Sequence, residues 1–495
     1  MKLVYNVKDK PPFARTLVFA FQQMLAILAA TIAVPAIIGN GMSQSAALFG
    51  AGMGTLVYLL FTKFKSPVFL GSSFAFIASM FAAFGGAASA AAGYLGIIMG
   101  AVMAGLVYVI IAIVVKIFGV KWVEKCMPAV VIGPTVAIIG LSLAGNAVGD
   151  LFKGGVTYMQ SYPTWAEVNG KWTTVLESTP VPYANQYIAL LCGLITLGVT
   201  IACSVYGKKM VKMIPFILGI LAGYVTATIF TVIGHVANID AFLVVDFAKF
   251  KSMQWYPDFA FLQIFKGGLN FGEGGFGAYL LTIAAAYVPV AFVVFAEHIA
   301  DHKNISSIIE SDLLEDPGLD RTLLGDGVGS MVGAFFGGCP NTTYGESVGC
   351  VAISGNASVV TILTTAIMAI VASFVAPFVT FLATIPSCVM GGVCMALYGF
   401  IAVSGLKMVQ KVDLEDNRNL FVVSVILISG IGGMVLSFGS VQITSIACAL
   451  ILGMLTNVLV HAKKAPTVEE ASAVNATEEL AEVEDLEKES SEDAE

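Results

Sequence analysis

The chain reads as an all-α polytopic membrane protein of about fourteen transmembrane segments. Three observations say so. Of 495 residues 57% are hydrophobic and only 12% charged, with mean hydropathy +0.87, far from the balance of a soluble domain. Apolar runs long enough to cross a hydrocarbon layer of about 30 Å recur along the whole chain. Basic residues cluster at alternate gaps between those runs, as positively charged loops do when they stay cytoplasmic.

In order, the runs lie near residues 14–39, 46–62, 67–83, 92–118, 127–149, 187–206, 211–234, 277–301, 322–337, 343–356, 358–384, 386–409, 419–438 and 441–461. The third and tenth are too short and polar to be ordinary spanning helices. Residues 1–12 are polar and lead into a full-length span, so no cleavable signal is read there. With the amino terminus cytoplasmic, only Lys153, Lys171, Lys249, Lys251 and Lys266 of the 25 basic residues fall outside, which supports an even number of crossings with both termini in the cytoplasm; the membrane expected is the plasma membrane.

The formal charge of −8 arises in the last segment, 465–495, which holds twelve of the 33 acidic residues against one Lys. It cannot bury enough apolar surface to fold and reads as a disordered acidic cytoplasmic tail. Eight cysteines are scattered through apolar runs without CxxC spacing, which argues against a disulfide framework or a thiolate metal site. The outer loops, 150–186 and 235–276, carry Trp, Tyr, Pro and Gly suited to interfacial caps and hinges, and no chemistry is read in them.

Two internal echoes predict an inverted repeat. Pro128-Ala129-Val130-Val131-Ile132-Gly133 returns as Pro386-Ser387-Cys388-Val389-Met390-Gly391 at the start of a span seven crossings later. An odd offset requires the two copies to enter the membrane from opposite faces, the 7+7 architecture of many secondary transporters. The polar third and tenth spans are also seven apart, with Gly71-Ser72-Ser73-Phe74-Ala75-Phe76 in one and Thr342-Thr343-Tyr344-Gly345-Glu346-Ser347 in the other. Backbone leaves the helix at such places only where it lines a cavity, the alternative being a small-residue packing interface.

Glu297 and Glu346 are the anomaly that points to function. A carboxyl at bilayer depth costs roughly 2.5–3.5 kcal/mol on the permissive insertion scale and survives where it faces water, a proton or a polar ligand. Glu297 and Asp301 are i and i+4 on one helix face. Two acids that close in a low dielectric share protons, as a proton-coupled carrier requires. His298 and His302 form a second i, i+4 pair, but the order is not HExxH and no third ligand is apparent, so His302 beside Lys303 reads as interfacial and no metal is expected.

The run Ala296-Glu297-His298-Ile299, then Asp312-Leu313-Leu314-Glu315-Asp316-Pro317-Gly318-Leu319-Asp320-Arg321, then Pro340-Asn341-Thr342-Thr343-Tyr344-Gly345-Glu346, closely resembles the nucleobase-ascorbate transporter family in its bacterial uracil permease branch. Leu70-Gly71-Ser72-Ser73-Phe74-Ala75-Phe76 and Leu397-Tyr398-Gly399 match the same family, so the likeness covers nearly everything but the tail and the longer first outer loop. The resemblance implies fourteen spans with short β-strands in spans 3 and 10. It implies a core domain in two halves, 1–125 and 235–384, the second including the outer loop, and a gate domain in two halves, 126–234 and 385–464. It further implies a homodimer and symport of a nucleobase with a proton, the proton being co-substrate and no cofactor being needed. Carried over by position, Glu297 would bond one edge of the base and Glu346 the opposite edge. Tyr344, Gly345 and Phe74 would present backbone or pack there, and Ala30 and Tyr398 would wall the pocket.

Two departures stand out. Asp301 occupies a position that is His in the uracil branch and Asp in the xanthine and urate branch, and Ser347 and Ser354 replace a usual Asn and Thr. Alternatives are therefore a xanthine or urate symporter, an anion transporter of the same architecture, whose ligand two carboxylates would repel, and last an intramembrane hydrolase. Without a Gly-Lys nucleotide motif ATP drive is not indicated, and no nucleic-acid partner is expected.

Overall fold

The computed structural model describes residues 3–119, 128–168, 171–208, 210–272, 274–438 and 441–461. Cys126 and the acidic segment 465–495 lie outside the described residues. In chain order come α1 (Phe13–Ile38), α2 (Gln44–Phe61), β1 (Leu70–Ser72), α3 (Ile77–Gly85), α4 (Ala90–Phe118), α5 (Ala129–Ser142) and α6 (Ala144–Asp150). A hairpin of β2 (Thr157–Val168) and β3 (Lys171–Pro182) precedes α7 (Gln186–Tyr206) and α8 (Pro215–Ala237). The rest is α9 (Gly275–Ile309), α10 (Leu319–Gly337), β4 (Asn341–Thr343), α11 (Gly345–Ser354), α12 (Val359–Ala372), α13 (Ala376–Thr384), α14 (Ser387–Val409), α15 (Asn417–Ile431), β5 (Leu436–Phe438), β6 (Val441–Ile443) and α16 (Ser445–His461).

Among the described residues eight helices are long and apolar enough to cross a membrane, or nine if α12 and α13, bent by 84° at their junction, count as one span. The protein is thus mostly helical and multi-pass. Two groups of helices pack side by side. In one, α2 lies along α10 and α12, α4 along α9 and α10, and α1 along α12; in the other, α5 lies along α14 and α15, α7 along α8 and α14, and α15 along α16.

Small residues set the tightest of these contacts. Ala46, Gly50 and Gly54 on α2 and Gly329, Gly333 and Gly337 on α10 each repeat at i+4, forming two flat stripes. A Cβ on Gly50 would lie 2.6 Å from the Gly333 carbonyl oxygen, and one on Gly54 2.7 Å from that of Gly329. With no hydrophobic drive between helices in lipid, such close backbone approach supplies the dispersion contact that holds them.

Three expectations need correction. The all-α reading misses the twelve-residue strands β2 and β3, paired antiparallel from Thr157 opposite Pro182 to Val168 opposite Lys171. The signal was present, since Asn169-Gly170 between runs of Thr, Val, Tyr and Trp is a strong hairpin pattern. The thirteenth run ends early, because Leu436-Ser437-Phe438 and Val441-Gln442-Ile443 alternate as strands and pair. His302 is not interfacial but fully buried, because α9 runs on to Ile309 and keeps that turn inside the bundle.

Widening the stripe should separate the two helices. Gly50→Val is expected to cost about 1–3 kcal/mol of overpacking, read as a lowered melting temperature in detergent, whereas Gly39→Ala, with nothing near its Cβ direction, meets only its local backbone strain.

Candidate functional site

The site is built on a crossing of two short strands. Each is three residues long and buried throughout, and they pair antiparallel with Leu70 opposite Thr343, Gly71 opposite Thr342 and Ser72 opposite Asn341. At bilayer depth a peptide group outside a helix has no water to bond, so each strand must satisfy the other. Ser73 N donates to Pro340 O at 2.9 Å, Tyr344 N to Phe69 O at 3.2 Å, and Leu70 N to Thr55 Oγ1 at 2.9 Å. Gly71 is required here. A Cβ at that position would come within 2.3 Å of the Tyr344 ring, whose hydroxyl donates to Ser72 O at 2.8 Å. Gly338, at φ 71°, ends α10 in the left-handed conformation and releases the chain into β4.

Both strands lead almost at once into short helices, α3 and α11, and α11 carries Glu346 in its first turn. Ser347 pins that turn. Its hydroxyl accepts from Gln23 Nε2 at 2.6 Å and from Phe69 N at 3.2 Å, tying α11 to α1 and to the approach of β1.

Against this crossing lies α9, whose Glu297, Ala300, Asp301 and Asn304 fall at i, i+3, i+4 and i+7 and share one face. That face lines a cavity of about 390 Å³, within the usual size of a small-molecule site. Glu297, Asp301 and Glu346 all border it, with Phe74, Tyr344 and Gly345. Asp301 Oδ2 accepts from Thr343 Oγ1 at 2.8 Å, so one carboxyl is anchored to β4. Glu297 and Glu346 are half-buried while Ala296, His298 and Ser347 beside them are buried, as expected of side chains that meet an internal space. The opposite wall is apolar for much of its extent, formed by Val136, Met213, Pro215, Phe216, Phe400 and Ile401, with Ser204, Lys212, Ser404 and Met408 completing it.

Six of the residues singled out from sequence therefore come together: Glu297, Asp301, Glu346, Gly345, Tyr344 and Phe74. Ala30 and Tyr398 do not reach the lining. Ala26, one turn earlier on α1, takes the place expected of Ala30, which is fully buried. Tyr398 backs the site instead, its ring edge-on to Phe74 with centroids 5.6 Å apart. Sequence reading missed Ser73, Thr343, Asn304, Ser404 and Lys212 as lining residues. Thr343 and Ser73 sat inside motifs already noted and Asn304 sat two turns from Glu297, whereas nothing local marks Ser404 or Lys212.

Behind Glu297 both histidines are fully engaged. His298 Nδ1 lies 2.7 Å from Asp326 Oδ2 and its Nε2 3.0 Å from Thr322 Oγ1. His302 Nδ1 donates to His298 O at 2.8 Å, which leaves Nε2 to accept from the Tyr58 hydroxyl at 2.7 Å, itself bonded to Ser66. With all four ring nitrogens occupied, the pair does not fit a metal site, and no cluster of metal-binding side chains occurs among the described residues.

A family model described as Permease family (Xan_ur_permease) matches residues 14–438. The chain is 37% identical over 463 residues to the uracil permease of Bacillus caldolyticus, covering 92% of this chain and 95% of that protein. It is 32% identical over 451 residues to the uracil permease of Escherichia coli strain K12, covering 91% and 92%. Among solved structures, the transmembrane domain of the cyanobacterial bicarbonate transporter BicA aligns with TM-score 0.58 at 16% identity, over 91% of this chain and 100% of that one. The murine anion transporter Slc26a9 in its inward-facing state aligns with TM-score 0.58 at 12% identity, over 92% and 69%. At such identities the likeness is one of fold. The chain is a membrane transporter, not an enzyme, and it belongs to the permease family of nucleobase-ascorbate transporters.

Proposed function

We propose that this protein imports uracil with a proton across the plasma membrane by alternating access. The observation that carries the reading is the meeting of Glu297 and Glu346, from distant parts of the chain, on one cavity floored by the strand crossing. Uracil alternates N–H donors and C=O acceptors around its ring. A protonated carboxyl offers one donor and one acceptor, an ionised one only acceptors. Glu297 with a shared proton bonds one edge of the base, Glu346 the opposite edge, and Tyr344, Gly345 and Phe74 pack or present backbone between them. Asp301, held by Thr343, is the second member of the proton-coupling pair. The uracil permeases to which the chain is similar over nearly their whole length support the choice of base.

Fourteen spans follow if β1 with α3 and β4 with α11 count as interrupted crossings and α10, α15 and α16 as further ones beside the nine apolar spans. The two packed groups of helices support a core domain (1–125 and 235–384) and a gate domain (126–234 and 385–464) related by a 7+7 inverted repeat. The cavity runs toward Lys212 and Met408, on the side read as cytoplasmic, which supports an inward-facing state with both termini inside. A homodimer is the assembly the family resemblance implies. The competing reading is xanthine or urate in place of uracil, favoured by the carboxylate at Asp301.

Uracil at a hundredfold excess over its Kd should add about 2.7 kcal/mol of stability, read as a raised melting temperature in a nucleobase panel. Glu346→Gln should abolish that rise, and unchanged affinity would remove Glu346 from the ligand shell. Because the donating form of the coupling carboxyl is the protonated one, uptake should be strongest at acidic pH and fall as pH rises. Glu297→Gln should flatten this profile and end uphill accumulation, and intact, pH-dependent uptake in that variant would be incompatible with its coupling role. Excess xanthine should leave labelled uracil uptake unchanged; strong competition would favour the second reading.

A further inference from the structure

Strand β4 faces a second, much smaller space. A cavity of about 10 Å³ is bordered by Tyr108 on α4, Asp326 and Ser330 on α10, and Asn341 and Thr342 on β4, with small and apolar residues such as Phe76 and Val294 completing its lining. Thr342 also borders the large cavity, so the two spaces are neighbours across a single strand. Tyr108, Asp326 and Asn341 are 4%, 1% and 1% exposed. Among the described residues Tyr108 Oη, Asp326 Oδ1 and Asn341 Oδ1 have no hydrogen-bond partner.

The other ends of two of these side chains are fixed. Asp326 Oδ2 lies 2.7 Å from His298 Nδ1, and Asn341 Nδ2 donates to Gly50 O at 2.9 Å. Neither group can turn to find a partner without breaking the bond it has. The residues that border this space thus carry one hydroxyl and two acceptor oxygens left over, and the space is about one probe sphere, which matches what a buried water needs: roughly 10–15 Å³ and two to four polar partners. A water there accepts from Tyr108 and donates to both oxygens. An alkali cation would serve the two oxygens and leave the Tyr108 O–H with no acceptor.

We propose that this cavity is a built site for one water molecule that ties β4 to the buried Asp326–His298 pair, making Tyr108 and Asp326 positioning residues for the strand crossing. Through Asn341 the water fixes the first residue of β4; two residues on, Thr343 holds Asp301, while His298 adjoins Glu297 on α9. The site thus braces both coupling carboxyls from behind without touching the substrate.

A high-resolution structure of the full chain, without substrate and in sodium-free buffer, tests the site itself and is independent of which base is carried. One density peak within about 3 Å of all three atoms is expected. An empty cavity, or a peak that requires sodium in the buffer, overturns the proposal. Tyr108→Phe keeps the ring and deletes only the hydroxyl. It should lose the peak and raise the KM for uracil roughly two- to tenfold, the range one hydrogen bond supplies, with the melting temperature little changed. A lost peak with KM unaltered would overturn the positioning role; should the variant fold poorly, the wild-type density alone decides.

Discussion

Everything near the site depends on two three-residue strands that pair where a helix would ordinarily be. Hydrocarbon tolerates no unpaired peptide groups, so a chain that leaves the helix at mid-depth must bring its own partner. Here Leu70–Ser72 and Asn341–Thr343 are each other's partner, although 271 positions separate Gly71 from Thr342. The crossing is stiff because its surroundings leave no slack: Tyr344 lies over Gly71, Asn341 is threaded between Gly54 and Gly333, and Ser347 is clasped by Gln23 and Phe69 N. The stripe of small residues between α2 and α10 is therefore more than a packing device. A larger residue at Gly333 would strike the Asn341 amide, so the helix contact and the strand position are one geometric problem.

On that frame acidic side chains can be placed at depth. Asp301 is anchored through Thr343, and Asp326 is matched to His298, which is in turn bonded to Thr322. His302 is satisfied as a neutral ring, donating to a carbonyl and accepting from Tyr58. Glu297 and Glu346 border the cavity beside Asp301. The carboxyl on α10, Asp326, is thus matched within the bundle, whereas those on one face of α9 and in the first turn of α11 border the cavity.

The membrane class, most spans and the acidic pair were legible in the sequence because they rest on local composition and on i, i+4 spacing. Glu297 and Asp301 had to share a face once α9 was a helix, and the polar third and tenth runs had to be interrupted. Long-range geometry was not legible. That α1 offers Ala26 rather than Ala30, on the same face one turn away, depends on how far along its axis α1 lies against its neighbours, and a shift of one turn leaves no mark on the apolar stretch that holds both. His302 was misjudged because the end of α9 was placed two turns too early. The strands β2, β3, β5 and β6 were missed for a different reason, since hydropathy windows sized for helices average away a period of two.

The cavity's two walls differ in kind. The strand crossing, α9 and α11 supply Ser73, Thr343, Glu297, Asp301, Asn304 and Glu346, whereas the facing wall from α5, α8 and α14 offers Val136, Phe216, Phe400 and Ile401 with few polar groups. A ligand with several hydrogen-bonding edges would be held by one helix group and merely covered by the other. Such asymmetry favours the proposed alternating access as a sliding of one body against the other: an apolar surface can pass over a bound polar ligand without breaking bonds to it, while two polar walls would have to exchange partners at every step. It also explains why lowering the site's negative charge matters for movement. An uncompensated carboxylate dragged along an apolar wall would face the full desolvation cost, so joint occupancy by proton and base is what the proposed mechanism requires before the surfaces move.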